Sequence, residues 1–335
     1  MQLNAKLLAT TALLALAATL PAQAVDKVSY GTNWLAEAEH GGFYQAVADG
    51  TYAKYGLDVT IVQGGPQAAN EALLISGKID FYMGGNLQVM DNVKEGIPVI
   101  NVAAMFQKDP QVLLAHPDAG FTTFADLTKA GTIFMGKDGL ITYFAWMKQT
   151  FPGFKDEQYK PYTFNPAPFI ADKNSVQQGY ITSEPFAIKQ QTGWEPQEFL
   201  LADAGYAPYS TTIETTQALV DKSPDLVQRF VDASTIGWYN YLYGDNKAAN
   251  ELIKKDNPEM TDDQLAFSIQ KMKDAGILIS DSAVDKGIGC MTDERYKKFF
   301  DTVVKIGLEP ADLDYKKSYT LQFVCKGVGM DLVKK

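Results

Sequence analysis

The stretch Gly31-Thr-Asn-Trp-Leu-Ala-Glu-Ala-Glu-His-Gly-Gly-Phe-Tyr44, continued by Tyr55-Gly-Leu-Asp-Val59, decides how this chain is read. Residues 28–33 are β-prone and end in Asn33-Trp34, which predicts a short strand closing in a polar and aromatic loop. His40-Gly41-Gly42 follows, and the glycines there let the backbone turn. Phe43, Ala46, Val47 and Tyr52 then predict a helix that Gly56 ends, and residues 57–62 start another strand. Polar and aromatic side chains gathered where a parallel strand ends lie where α/β proteins bind small ligands.

Working outward, the unit repeats. Strands are expected at 57–62, 79–83 and 98–106, with helices at 67–76 and 87–95 between them. Near-continuous apolar strands alternating with helices predict a parallel sheet covered on both faces. The strand ends Asn33-Trp34, Gly64-Gly65, Gly84-Gly85-Asn86 and Phe106-Gln107 then converge on one edge. Residues 111–116 read as a strand leaving this unit. A second series follows: strands at 132–135, 159–164 and 198–202, helices at 141–151 and 168–178. The segment from Tyr206 returns toward the first unit, and the remainder is helical, with a capping box at Thr261-Asp-Asp-Gln264 and Thr292 as a further cap. Two βα series joined by two crossings predict an α/β fold of two lobes, with a hinge and a cleft between them. The expected boundaries are a leader at 1–24, a discontinuous first lobe at 25–116 and 207–335, and a second lobe at 117–206.

Residues 1–24 carry a positive start, an apolar run at 7–20 and the small-residue end Pro21-Ala-Gln-Ala24, the pattern of a secretory signal peptide. The expected product is exported to the periplasm and soluble. A net charge of −10 without a basic cluster argues against nucleic acid or anionic membrane as partners. Cys290 and Cys325 could pair in an oxidising compartment or stay buried and free, and the spacing leaves both open. Two cysteines and two histidines without ligand spacing argue against a metal site.

Asn33-Trp34 with His40 six residues on, Tyr44, Ala46, the run Gly56-Leu57-Asp58-Val59 and the run Ser76-Gly77-Lys78-Ile79-Asp80 together resemble the NMT1/THI5-like solute-binding proteins. The resemblance covers essentially the whole mature chain, and its Asn-Trp…His pair points to the pyrimidine-precursor branch. It implies a two-lobed type II periplasmic-binding-protein fold and a monomer that hands a small molecule to the permease and ATPase of an ABC importer, without a cofactor. Riboflavin, purine, sulfonate and nitrate binders are the alternatives within the same fold. One branch is an enzyme, a pyrimidine synthase that uses pyridoxal phosphate and consumes its own histidine. Its lysine falls at Gly84 here, its histidine at Gln88, and its cysteine-rich motif has no counterpart around 206–213, so the imine chemistry has no amine.

The expected ligand-binding set is Asn33, Trp34, His40, Tyr44, Gly65, Asn86, Phe106, Asn165 and Glu184. Trp34 offers a flat wall for a heteroaromatic ring, or else closes the core beneath the first helix. Asn33 presents a donor and an acceptor, or ends the strand as a turn residue. His40 reads as a support as much as a contact. Asn86 reads first as a helix N-cap, with backbone N–H groups nearby for a ligand oxygen. Glu184 lies where pyrimidine-binding relatives place a ligand glutamate, and its carboxylate can take two hydrogen bonds from one ring edge. Asp138, in Gly136-Lys-Asp-Gly139, would repel a sulfonate. The aromatic run from Trp238 to Tyr243 reads as a packed helix face.

Overall fold

A computed structural model describes residues 25–334; the expected signal peptide lies outside the described residues. The first lobe is built on a five-stranded sheet in the order β2-β1-β3-β10-β4. Its strands are β1 (Asp26–Gly31), β2 (Leu57–Val62), β3 (Phe81–Gly85), β4 (Val99–Phe106) and β10 (Ser210–Thr216). The second lobe carries the order β7-β6-β8-β5-β9, formed by β5 (Gln111–Ala115), β6 (Thr132–Met135), β7 (Tyr159–Pro161), β8 (Ser175–Tyr180) and β9 (Gln197–Leu200).

The sheets are mixed, where the sequence pattern predicted parallel ones. β1 runs parallel to β2 and β3, while β10 runs antiparallel to both β3 and β4. In the second sheet β6 is parallel to β7 and β8, and β5 is antiparallel to β8 and β9. Each antiparallel strand is the one that has just crossed from the other lobe. Because β5 already pairs inside the second sheet, the first crossing falls between Phe106 and Gln111, ahead of the expected boundary at 116.

Arg295 ties the two crossings together. Its guanidinium donates to the carbonyls of Gln107 and Pro208, one on each crossing, and lies 4.1 Å above the Tyr209 ring. Gln107 N–H also donates to the Ile277 carbonyl at 2.7 Å.

Two central strands escape the sequence reading. Residues 168–178 were expected as a helix, but the helix is confined to Ala167–Ala171 and β8 follows. Ser-Val-Gln-Gln-Gly-Tyr is too polar to show a buried strand, yet Ser175 and Gln177 are fully buried between β6 and β5. β10 is similarly rich in threonine and holds the buried Glu214.

The first helix (Gly41–Ala48) packs across the long helix (Pro224–Tyr243), and three glycines set how closely. A Cβ on Gly41 or Gly42 would fall 2.0 Å and 2.2 Å from the rings of Tyr241 and Trp238, and one on Gly237 2.2 Å from the Gly42 carbonyl oxygen. Gly41 and Gly42 are therefore contact residues inside a helix rather than a turn. The aromatic run from Trp238 is a packed face, with Trp238, Tyr239, Tyr241 and Leu242 buried and Tyr243 half exposed. Thr261 and Thr292 cap their helices, accepting from the backbone N–H of Gln264 and Arg295.

Cys290 and Cys325 are joined in a disulfide, 35 residues apart in sequence with Cα atoms 4.5 Å apart. Opening a loop of that length is expected to cost roughly 3–4 kcal/mol of stability. Adding dithiothreitol should therefore lower the melting temperature by several degrees; an unchanged melting curve under conditions that free both thiols would contradict this.

Candidate functional site

A cavity of about 800 Å³ opens between the lobes, where the carboxyl ends of β1, β3 and β4 face the second lobe. From the first lobe it is lined by Asn33, Trp34, Glu37, His40, Asn86 and Phe106, and from the second by Tyr143, Tyr162, Phe164, Tyr180 and Glu184, among others. Of the nine expected residues, six line it. Tyr44, Gly65 and Asn165 do not.

Each of the three has a structural task. Tyr44 is buried, and its hydroxyl donates to Asp256 at 2.8 Å. Gly65 has φ 150° and sits against Leu35, behind the loop that carries Asn33 and Trp34. Asn165 folds back locally, accepting from the Ala167 N–H at 3.0 Å.

The loop from Asn33 to His40 is held from beneath through its backbone. Thr32 Oγ1 donates to the Trp34 carbonyl and accepts from Gly64 N–H, each at 2.9 Å. Asn70 Nδ2 donates to the carbonyls of Thr32 and Val62. Gln63 Oε1 accepts from Ala36 N–H, and Asn257 Nδ2 donates to the Ala36 carbonyl. The end of β2 thus buttresses the loop instead of lining the cavity; a Cβ on Gly64 would lie 2.3 Å from the Thr32 carbonyl oxygen.

Trp34 faces a residue that sequence reading missed. Phe164, from the second lobe, is 67% exposed, and its ring centroid lies 5.9 Å from that of Trp34. Its φ is 59°, a left-handed backbone that costs a non-glycine residue about 1 kcal/mol or more. An exposed aromatic held in a strained conformation at the mouth of a cavity is a binding feature more readily than a packing one. The expected neighbour Asn165 makes the turn that follows it.

Asn86 is the first residue of its helix, and no side chain caps that end. The expected N-cap role is therefore not what this side chain does. Asn86 is 1% exposed, and both its amide nitrogen and oxygen lack a protein partner. His40 is equally buried, with Nδ1 unpartnered, and burial pushes its imidazole down to about 3, so the ring is neutral near pH 7. Unpaired buried polar atoms are costly, and both residues line the cavity.

Glu184 begins its helix (Glu184–Thr192), and its Oε2 accepts from Tyr180 N–H at 2.7 Å. A Cβ on Gly179 would lie 2.9 Å from the Glu184 Cβ, so that glycine leaves room for the side chain. Burial raises the Glu184 carboxyl to about 7, above its ordinary 4.5. The unliganded fold then holds more protons than the unfolded chain between those values, so this contribution to stability is full below pH 4.5 and lost as pH rises through about 7. Glu184→Gln is expected to flatten that decline in a melting-temperature profile; an identical slope in the variant would contradict it.

The lobes also touch through Glu39, whose carboxylate accepts from the Thr182 hydroxyl, while Ser268 Oγ donates to the Thr182 carbonyl at 2.7 Å. Gln178 Oε1, accepting from Gly136 N–H and Tyr143 Oη, fixes Tyr143 in the wall.

The residues present do not fit pyridoxal phosphate. The position expected for an imine lysine is Gly84, where a Cβ would lie 1.9 Å from Glu214 Oε1. Glu214 is fully buried with Oε2 unpartnered, and burial raises its carboxyl well above the usual range. Among the described residues, no group of histidine, cysteine and carboxylate side chains is arranged to hold a metal ion.

A family model described as "NMT1/THI5 like" matches residues 37–249. The riboflavin-binding protein RibY of Chloroflexus aurantiacus is 23% identical over 311 residues, covering 90% of this chain and 87% of that protein. A putative thiamine biosynthesis protein of Haemophilus influenzae is 26% identical over 126 residues, 37% of this chain and 40% of that one. Among solved structures, the periplasmic aliphatic sulphonate binding protein SsuA of Escherichia coli superposes with a TM-score of 0.64 at 13% identity, covering 87% of this chain and 91% of that chain. The Candida albicans CA3427 product, described as having the generic periplasmic binding protein fold, gives 0.57 at 15% identity, covering 89% of this chain and 96% of that one.

Proposed function

The chain belongs to the NMT1/THI5-like family, and from that premise we propose that it is the periplasmic solute-binding component of an ABC importer. Its solute is a small nitrogen heterocycle, in the first instance a pyrimidine of the kind that serves as a thiamine precursor. The observation that carries the reading is the pair Trp34 and Phe164, one ring from each lobe, facing each other across the mouth of the cavity. The two rings touch as they stand, and a flat ring seated between them needs about 7 Å, so the pair would part by about 1 Å to stack on both faces of a solute. The unpaired amide of Asn86 supplies one donor and one acceptor, and Glu184 accepts from ring N–H or amino groups. His40 and Asn33 complete the edge contacts. No bond is made or broken; the importer reads the closed form.

Two related proteins whose names refer to flavin and thiamine chemistry support a heterocycle. A sulfonate fits poorly, because the lining holds Glu37, Glu39, Asp91, Asp109, Asp138 and Glu184 against the single Lys137. A flavin is the competing solute, since the cavity volume falls within the range of sites for drug-sized ligands. The leader at 1–24 would direct the protein to the periplasm, where it acts as a monomer.

The test is a thermal scan of the mature protein against pyrimidines, flavins, purines and taurine, since a solute that binds only the folded state raises the melting temperature. A shift with an aminopyrimidine is expected. A shift with taurine and none with any heterocycle would overturn the proposal.

A further inference from the structure

Glu37, Glu39, Asp109, Asp138 and Glu184 all line the cavity, and they come from both lobes. Among the described residues none of the five takes part in an ion pair. Like charges gathered in a partly desolvated space repel, and each raises the cost of ionising its neighbour. Burial is the main cause that raises Glu37, Glu184 and Asp109, and the like charges add to it: Glu39 and Glu184 on Glu37, and Glu39 on Glu184. Among the lining residues, Lys137 alone carries a positive charge to offset them.

Two further facts point to a solute as the partner of this wall. The Asn86 amide and His40 Nδ1, both about 1% exposed and without protein partners, line the same space. Around it stand Trp34, Tyr143, Tyr162, Phe164 and Tyr180. Aromatic faces attract cations, and carboxylates held behind them strengthen that attraction once water is excluded.

From this arrangement we infer that the solute carries a positive charge, an amine or amidinium group that seats against Glu37, Glu39 and Glu184 while its ring packs against Trp34 and Phe164. The inference rests on reading the cleft as a solute site and adds the charge of the solute to that reading. Lobe closure joins the two acidic walls, where either bound protons or a cation must offset the carboxylates; a cationic solute can take the place of those protons and a neutral isostere cannot.

The experiment is calorimetric titration of the mature protein, near neutral pH, with matched pairs that differ only in an aminomethyl or a hydroxymethyl group. The pairs are built on a 4-aminopyrimidine, on a purine and on an isoalloxazine ring, and taurine is the anionic control. On at least one ring the amine is expected to bind about tenfold or more tightly than its alcohol. That advantage should shrink at high salt and largely vanish in Glu37→Gln and Glu184→Gln, while circular dichroism and melting show both variants folded. No amine outscoring its alcohol on any ring, silence included, overturns the inference. Equal binding of amine and alcohol on one ring leaves the heterocycle reading standing; binding of taurine alone removes that reading as well.

Discussion

Trp34→Ala is expected to weaken solute binding by roughly 10- to 100-fold, the loss that removing one stacking face produces, about 1–3 kcal/mol. Phe164→Ala should cost a similar factor, because its ring meets the same solute from the other lobe. Neither change should unfold the protein. Trp34 is only partly buried and Phe164 is largely exposed, so little core is lost with either. The double variant separates this account from a packing role. If both rings hold one solute between them, their losses are coupled and the double variant falls short of the sum. If the rings merely touch each other, affinity stays within about twofold of the parent in all three variants, and the stacking assignment fails.

Gly237→Val should be the most damaging single change to the fold. A Cβ there would lie 2.2 Å from the carbonyl oxygen of Gly42 and 2.8 Å from the Cβ of Ala46. Backbone cannot yield as a flexible side chain does, so the first helix must move away from the long helix. A loss of about 3 kcal/mol or more is expected, the upper range for overpacking a tight core. The first helix follows directly on the loop that carries Asn33, Trp34 and His40. A surviving fold should therefore also bind solute poorly, whereas Gly96→Ala, where a Cβ meets nothing within 4 Å, should leave binding intact. Gly237→Val with wild-type melting and wild-type affinity would contradict the packing account.

These two expectations show what was legible in the sequence. The α/β character, the two lobes and the strand ends meeting at a cleft followed from apolar runs and the glycines and asparagines that end them. Trp34, His40 and Phe106 were singled out because they stand at such ends or match the family's opening motif, and Glu184 because relatives place a glutamate there; all four line the cavity. What escaped was set by tertiary context. β8 and β10 are polar strands in central positions, and a strand paired on both sides needs no apolar signature when its side chains meet buried partners. Phe164 was hidden because position alone pointed to its neighbour Asn165, and neither its left-handed backbone nor its approach to Trp34 leaves a mark in the local sequence. Gly41 and Gly42 resembled a turn, since local sequence cannot reveal a helix crossing made by residues almost two hundred positions away. The same limit applied to Arg295, which joins Gln107 to Pro208 across both connections.

The central claim is that the cleft captures a nitrogen heterocycle between Trp34 and Phe164, against a wall of carboxylates. Native mass spectrometry of the protein as isolated from its source cells, without refolding, tests it most directly. The account predicts a noncovalent adduct that unfolding releases as a nitrogen heterocycle bearing an amine or another cationic group, and that the Trp34→Ala variant does not retain. Release of a sulfonate or another oxyanion, or an adduct held equally by Trp34→Ala and Glu184→Gln, would contradict it.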